Sequence, residues 1–134
     1  MKKRGDISLW FLVEFVGAFL IAFLAVDISI NISQQQIYEK LNIAKDLAMQ
    51  INALTSISGE AYIANKNLHG YSLHFNDNRI EVFDDEFDQV RGIYYFVNTG
   101  TIKMDLKLNK PKQVIISKIN NEIKISEEIP VKLK

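Results

Sequence analysis

Four successive patterns of apolar and polar positions divide the chain. Lys2-Lys3-Arg4-Gly5 and Asp6-Ile7-Ser8 lead into an apolar run from Leu9 to Val26 that only Glu14 interrupts. Those 18 residues, at about 1.5 Å each, make roughly 27 Å of helix, close to the ~30 Å hydrocarbon thickness of a bilayer, and Ile28 and Ile30 can lengthen the run. The pattern predicts a transmembrane helix close to the start of the chain.

Next, Asp27-Ile28-Ser29-Ile30-Asn31-Ile32-Ser33 alternates with the period of a strand. An extended segment so near the bilayer would need a hydrogen-bonding partner strand, so the stretch reads as continuing helix or a local bend. From Gln34 onward, Ile37, Leu41, Ala44, Ala48 and Ile51 recur at steps of four and three, with Leu47 and Leu54 widening the stripe. This is the signature of an amphipathic helix, expected to run from about Ser8 to Thr55. Glu39, Lys40, Lys45 and Asp46 fall mostly off the stripe, and Ser56-Ile57-Ser58-Gly59 supplies a stop, because glycine tolerates left-handed geometry. The same five seam positions also satisfy a heptad, which leaves a short dimerising coiled coil as the competing reading. Two alanines among the five suit close docking on a sheet better than a zipper.

Beyond Gly59 the period shortens to two. Strands are expected over Glu60 to Ala64, Tyr71 to Phe75, Arg79 to Phe83, Gly92 to Asn98, Thr101 to Leu108, Gln113 to Ile119 and Glu122 to Ser126. Asn76-Asp77-Asn78, Asn98-Thr99-Gly100 and Asn120-Asn121 separate them, residues that tolerate positive φ and so close hairpins. Tyr71, Leu73 and Phe75 share a face, as do Ile80 with Val82 and Ile123 with Ile125, which predicts an antiparallel sheet with one buried side. Pro111 is placed at a strand opening and Pro130 at the end of order before Lys132-Leu133-Lys134. The fold class that follows is α+β: a long amino-terminal transmembrane and amphipathic helix, then a small antiparallel β-sheet head. Its domains are a basic leader over 1–5, a helical stem over 6–56 and a β-rich head over 57–134.

Charge sets the orientation of this arrangement. Three of the 16 basic residues and two of the 16 acidic ones precede Asp27, and all three positives lie before the apolar run. Positive flanks stay cytoplasmic, so the head is expected to face outward from the cytoplasmic membrane. The remaining 13 basic and 14 acidic residues nearly cancel, which offers no electrostatic footprint for nucleic acid. Cysteine is absent, excluding disulfides, thiolate metal sites and a cysteine nucleophile together. A head of 78 residues is near the lower limit for a single core, so a docking helix or neighbouring subunits would support it. A cleavable secretory signal fits poorly, since its apolar region should span about 7 to 15 residues and end at a small-x-small site, whereas this run ends Ala25-Val26-Asp27-Ile28.

The junction Lys3-Arg4-Gly5 followed by Asp6-Ile7-Ser8-Leu9-Trp10-Phe11 resembles that of archaeal type IV pilin-like proteins, whose pattern is Gly, then Gln-x-Ser-x-Glu-Phe. Ser8 and Phe11 match at the third and sixth positions after the glycine, while Asp6 replaces glutamine and Trp10 stands where glutamate is expected. The resemblance covers about 25 residues. It implies cleavage by a prepilin-type peptidase between Gly5 and Asp6, and assembly of the apolar helix with other copies or related pilins into a surface filament. Glutamate in that family meets a neighbouring subunit's new amino terminus. Glu14, one helical turn beyond Trp10 on the same face, is the candidate for that contact here, and pairing with a neighbour's Asp6 amine implies an axial offset of roughly 12 Å. A carboxylate inside a span costs about 2.5 to 3.5 kcal/mol on insertion scales, which calls for such a reason. A protonated or water-reached Glu14 facing a partner helix is the alternative.

Candidate chemistry in the head is sparse. Asp84, Asp85, Glu86 and Asp88 offer carboxylate oxygens to a hard cation, but the alternating ligands and glycine of a calcium-binding loop are missing, and a solvated loop is expected. His69 and His74 have no matching ligand or triad set. Asn31-Ile32-Ser33 is a glycan acceptor triplet close to the membrane. Tyr94, Tyr95 and Phe96 put aromatics on both faces of one strand, fitting either an exposed contact surface or a strand buried on both sides. No catalytic residue, metal or cofactor is expected. The leading expectation is a structural pilin-like subunit, and the second a permanently anchored accessory or stator protein whose head binds an envelope or filament partner.

Overall fold

The computed structural model describes residues 3–97 and 105–131. One helix, α1 (Lys3–Ser56), is followed by seven strands: β1 (Ala61–Asn65), β2 (Ser72–Asn76), β3 (Arg79–Phe83), β4 (Gly92–Tyr95), β5 (Asp105–Leu108), β6 (Val114–Ile119) and β7 (Glu122–Ser126). All seven expected strands are present. The turn at Asn98-Thr99-Gly100, the expected start of β5 at Thr101 and the tail from Lys132 lie outside the described residues.

The chain forms two compact units, Met1–Gln36 and Ile37–Lys134. The division falls inside α1, not at its end near residue 56, because only the second half of the helix buries a face. Within the second unit the strands form two antiparallel sheets in place of the single expected one. Four strands are ordered β4-β3-β2-β5 and three are ordered β1-β6-β7. Two hairpins are local. Asp77 and Asn78 join Asn76 to Arg79, and Asn120 and Asn121, with φ of 52° and 66°, join Ile119 to Glu122 in the primed turn that matches strand twist. The β1–β6 and β2–β5 pairs are long-range, and they decide which strand joins which sheet.

Leu73, Phe75, Ile80 and Val82 of the larger sheet, and Val114, Ile116, Ile123 and Ile125 of the smaller, are buried in one core with Ile43, Ala44, Leu47, Ala48, Ile51 and Leu54 of α1. Helix docking therefore prevails over the coiled-coil reading, with a rotated stripe. Ala44, Ala48 and Ile51 are fully buried, but Leu41 is half-buried and Ile37 is 39% exposed, whereas Lys40 is only 2% exposed. Lys40 thus lies on the docked face, contrary to its placement by periodicity, because a partner for its charge is waiting there.

Strand β4 runs along this half of the helix. Gly92 abuts the backbone of Lys40 and Leu41, and the Val97 amide donates to Asn52 Oδ1 at 3.0 Å. Five strand residues at ~3.3 Å and eleven helical residues at ~1.5 Å both cover about 16 Å, so the two contacts are in register.

The end of α1 is closed by a residue of β6, far along the chain. No basic residue stands in its last turn, but the Lys118 ammonium donates to the carbonyls of Thr55 at 3.1 Å and Ile57 at 2.6 Å. A cation there satisfies orphan acceptors and complements the helix dipole. Gly59, with φ of 104°, then turns the chain toward β1. Lys118→Met, which keeps most of the buried stem, is expected to lower stability by about 1 to 3 kcal/mol, read from urea unfolding of the full chain in detergent.

Candidate functional site: the unburied apolar run of the helix

Between Leu9 and Val26 every large apolar side chain is exposed, with Trp10 at 67% and Phe11 at 69%, and none of the most apolar 18-residue stretch is buried. The run is long and apolar enough to cross a membrane. Thirteen large apolar side chains are involved. At ~1.5 to 3 kcal/mol for each one taken fully out of water, their burial is worth roughly 20 to 40 kcal/mol. Against this the ~3 kcal/mol for placing one carboxylate in a span is a minor term. Apolar surroundings, lipid or other helices, are the stable environment of this segment.

Glu14 is exposed on this run, and among the described residues no hydrogen bond or ion pair reaches it. Four residues on lies Ala18, and Gly17 beside it has open space where a Cβ would stand, so the helix surface next to Glu14 is low and accessible. Gly5 and Asp6 are within α1, which begins at Lys3, while the side chains of Lys3, Arg4, Asp6 and Ser8 are outside those described. Asn31 is helical and exposed, ahead of the docked half.

The acidic loop is engaged internally. Asp88 Oδ2 accepts from Lys40 Nζ at 2.5 Å and from the Asp84 amide at 2.9 Å, while Oδ1 accepts from the Val90 amide at 2.9 Å. Lys40 also donates to the Val90 carbonyl at 2.9 Å and stands 5.3 Å from the centre of the Tyr71 ring. Burial raises the Asp88 pKa, but the Lys40 bond and the two backbone amides outweigh it and hold the carboxyl below its usual range. Asp84 pairs with Lys110, and Glu86 with Lys107. Among the described residues no cluster of three or more acidic or histidine side chains is placed to hold a metal. Next to this loop, burial raises the Tyr71 phenol, and its hydrogen bond to Glu39 Oε2 at 3.1 Å adds to the effect.

A charge network that the sequence did not announce covers the outer side of the larger sheet. Glu81, largely buried, accepts from Arg79 at 2.8 Å and Arg91 at 3.0 Å, and His74 Nδ1 lies 3.9 Å from it. His74 Nε2 meets Asp105 at 2.5 Å, while Arg91 and Lys107 stand over the Phe83 ring at 4.8 and 5.6 Å. The only advance signal was the period of two, which puts His74, Glu81 and Lys107 on one side of adjacent strands. With each carboxylate paired, the network stabilises the sheet and presents no free nucleophile or base. His69 is exposed at a turn with φ of 49°. Phe96, just past β4, is buried in the core, whereas Tyr94, Tyr95 and Val97 are exposed, so the strand is not buried on both sides. No protein-family model, curated protein or solved structure matches the chain.

Proposed function

We propose that the chain is a structural, pilin-like subunit, major or minor, of an archaeal type IV-like surface filament. It is held in the cytoplasmic membrane by Leu9 to Val26 before assembly and polymerised through that helix afterwards. The observation that carries the reading is the unburied apolar run with a single unpaired carboxylate at Glu14. Helices withdrawn from lipid must be reburied, and bundling them with those of other subunits does this while the heads remain in solvent. A prepilin-type peptidase acting between Gly5 and Asp6, and a membrane motor ATPase, would be supplied by other chains. No catalytic role is proposed for the head, where His74, Glu81, Asp88 and Asp105 are engaged in internal pairs.

A permanently anchored accessory protein is the second reading, favoured by Phe87, which is 92% exposed on a loop held by its own hydrogen bonds. Such a side chain suits a partner-binding head. Mass spectrometry of the native amino terminus separates the two: a chain starting at Asp6 supports the filament subunit, and retained residues 1–5 overturn it in favour of the anchored protein. Glu14→Gln is expected to abolish filaments while leaving membrane insertion intact, scored by electron microscopy and membrane fractionation. Undiminished filaments would remove Glu14 from the assembly contact.

A further inference from the structure

Helix α1 has two kinds of support along its length and a gap between them. In the Leu9–Val26 run, lipid cannot hydrogen-bond the backbone and so enforces helix. From Ile43 to Leu54 the helix is fixed by the core of the second unit. Asp27 to Ser33 has neither, since all seven side chains are exposed and none bonds to another element among the described residues.

Its residues are also poor helix formers. Ile28, Ile30 and Ile32 lose side-chain freedom against the preceding turn, and Asp27, Ser29, Asn31 and Ser33 carry short polar groups that compete for the backbone. Ser29 does so in the structure, its hydroxyl donating to the Ala25 carbonyl at 2.8 Å, a bond that weakens and bends helices. The strand-like alternation adds a second conformation. Extended, the segment would place the three isoleucines on one side and the four polar residues on the other.

We propose that Asp27–Ser33 is a weak joint in α1, which opens locally while the helix on either side stays intact. The inference rests on the helix alone and holds for either reading of the function.

Hydrogen exchange on the full chain in phosphatidylcholine nanodiscs tests it. Amides of Ile28–Ser33 are expected to exchange at least ~100-fold faster than those of Ala44–Ile51, whose opening requires undocking. The combined variant Ser29→Ala, Ile30→Leu, Asn31→Ala and Ile32→Leu changes no side chain of the docked face or of the Leu9–Val26 run. Its better helix formers are expected to slow exchange in the segment roughly tenfold. Exchange as slow as in Ala44–Ile51, or a rate unchanged by the variant, would overturn the joint. Assembly is not required for either measurement, so a failed filament experiment leaves this result readable.

Discussion

Gly92→Ala is expected to unseat the docked half of α1. A Cβ at this position would lie 2.4 Å from the Lys40 carbonyl carbon, 2.6 Å from the Leu41 nitrogen and 2.6 Å from the Lys40 oxygen. None of these is a side-chain tip that can swing aside. Either β4 must leave β3, breaking the Val82–Gly92 end of the ladder, or the helix must lift, opening space around Ile43, Ala44 and Leu47. Overpacking into a well-filled core costs about 1 to 3 kcal/mol, and a backbone obstacle puts this case at or above the upper end. Marginal domains have ~5 to 15 kcal/mol in total, so loss of cooperative unfolding at modest denaturant is the expected result, followed by far-ultraviolet circular dichroism of the full chain in detergent. Ile93→Ala, on the adjoining residue of the same strand and pointing away from the helix, is the control, expected to cost less than ~1 kcal/mol.

Gly92 also marks where the sequence stopped being legible. Periodicity located α1 and all seven strands because a repeat of 3.6 or 2 is a local property that a single segment carries. It also placed Tyr71, Leu73, Phe75, Ile80, Val82, Ile123 and Ile125 on a buried side, and all are buried except Tyr71, which is half-buried. Partner choice is not local. Ala61 pairs with Lys118 and Leu73 with Leu108, separations across which no turn residue dictates register, so a single expected sheet became two. A glycine at the start of a strand reads as turn punctuation, and only the approach of another backbone reveals its second reason. Glu81 shows the same limit: its carboxylate is largely buried because Arg79 and Arg91 close over it, which no spacing within Arg79–Phe83 could disclose.

The candidate site was more legible than the head. An 18-residue apolar run declares its need for lipid or other helices in the sequence itself, and Glu14 stands out against it by charge alone. The proposed leader junction is likewise a linear pattern. What the sequence left open was the fate of the second half of the stem, where heptad and docking readings shared Ile37, Leu41, Ala44, Ala48 and Ile51. The tertiary contacts of Ile43, Leu47 and Leu54 decide for docking and turn the helix so that Ile37 faces out.

That rotation depends on Lys40, and Asp88→Ala is expected to be the most damaging single change at the contact. It would leave an ammonium at 2% exposure with only the Val90 carbonyl and the Tyr71 ring for company. Breaking a buried ion pair from one side typically costs about 3 to 5 kcal/mol, because the remaining charge keeps its desolvation penalty and loses its compensation. Lys40→Met leaves a less isolated remnant, since the Asp84 and Val90 amides still donate to Asp88. Its cost should therefore be smaller. Removing both charges together, Lys40→Met with Asp88→Ala, is expected to recover most of the loss, and a double-mutant cycle by urea unfolding measures the coupling. An additive cycle would show the pair to be incidental. Acid provides an independent readout. The Asp88 pKa is lowered in the folded chain, so the unfolded state takes up the proton first as pH falls. The stability this group contributes is complete above the unfolded carboxyl value of about 3.9 and is lost as pH drops through the lower folded value. Wild type should show this acid-dependent loss in stability as pH falls below the unfolded carboxyl value of about 3.9 and through the lower folded one, and the Asp88→Ala chain should lack that share of it.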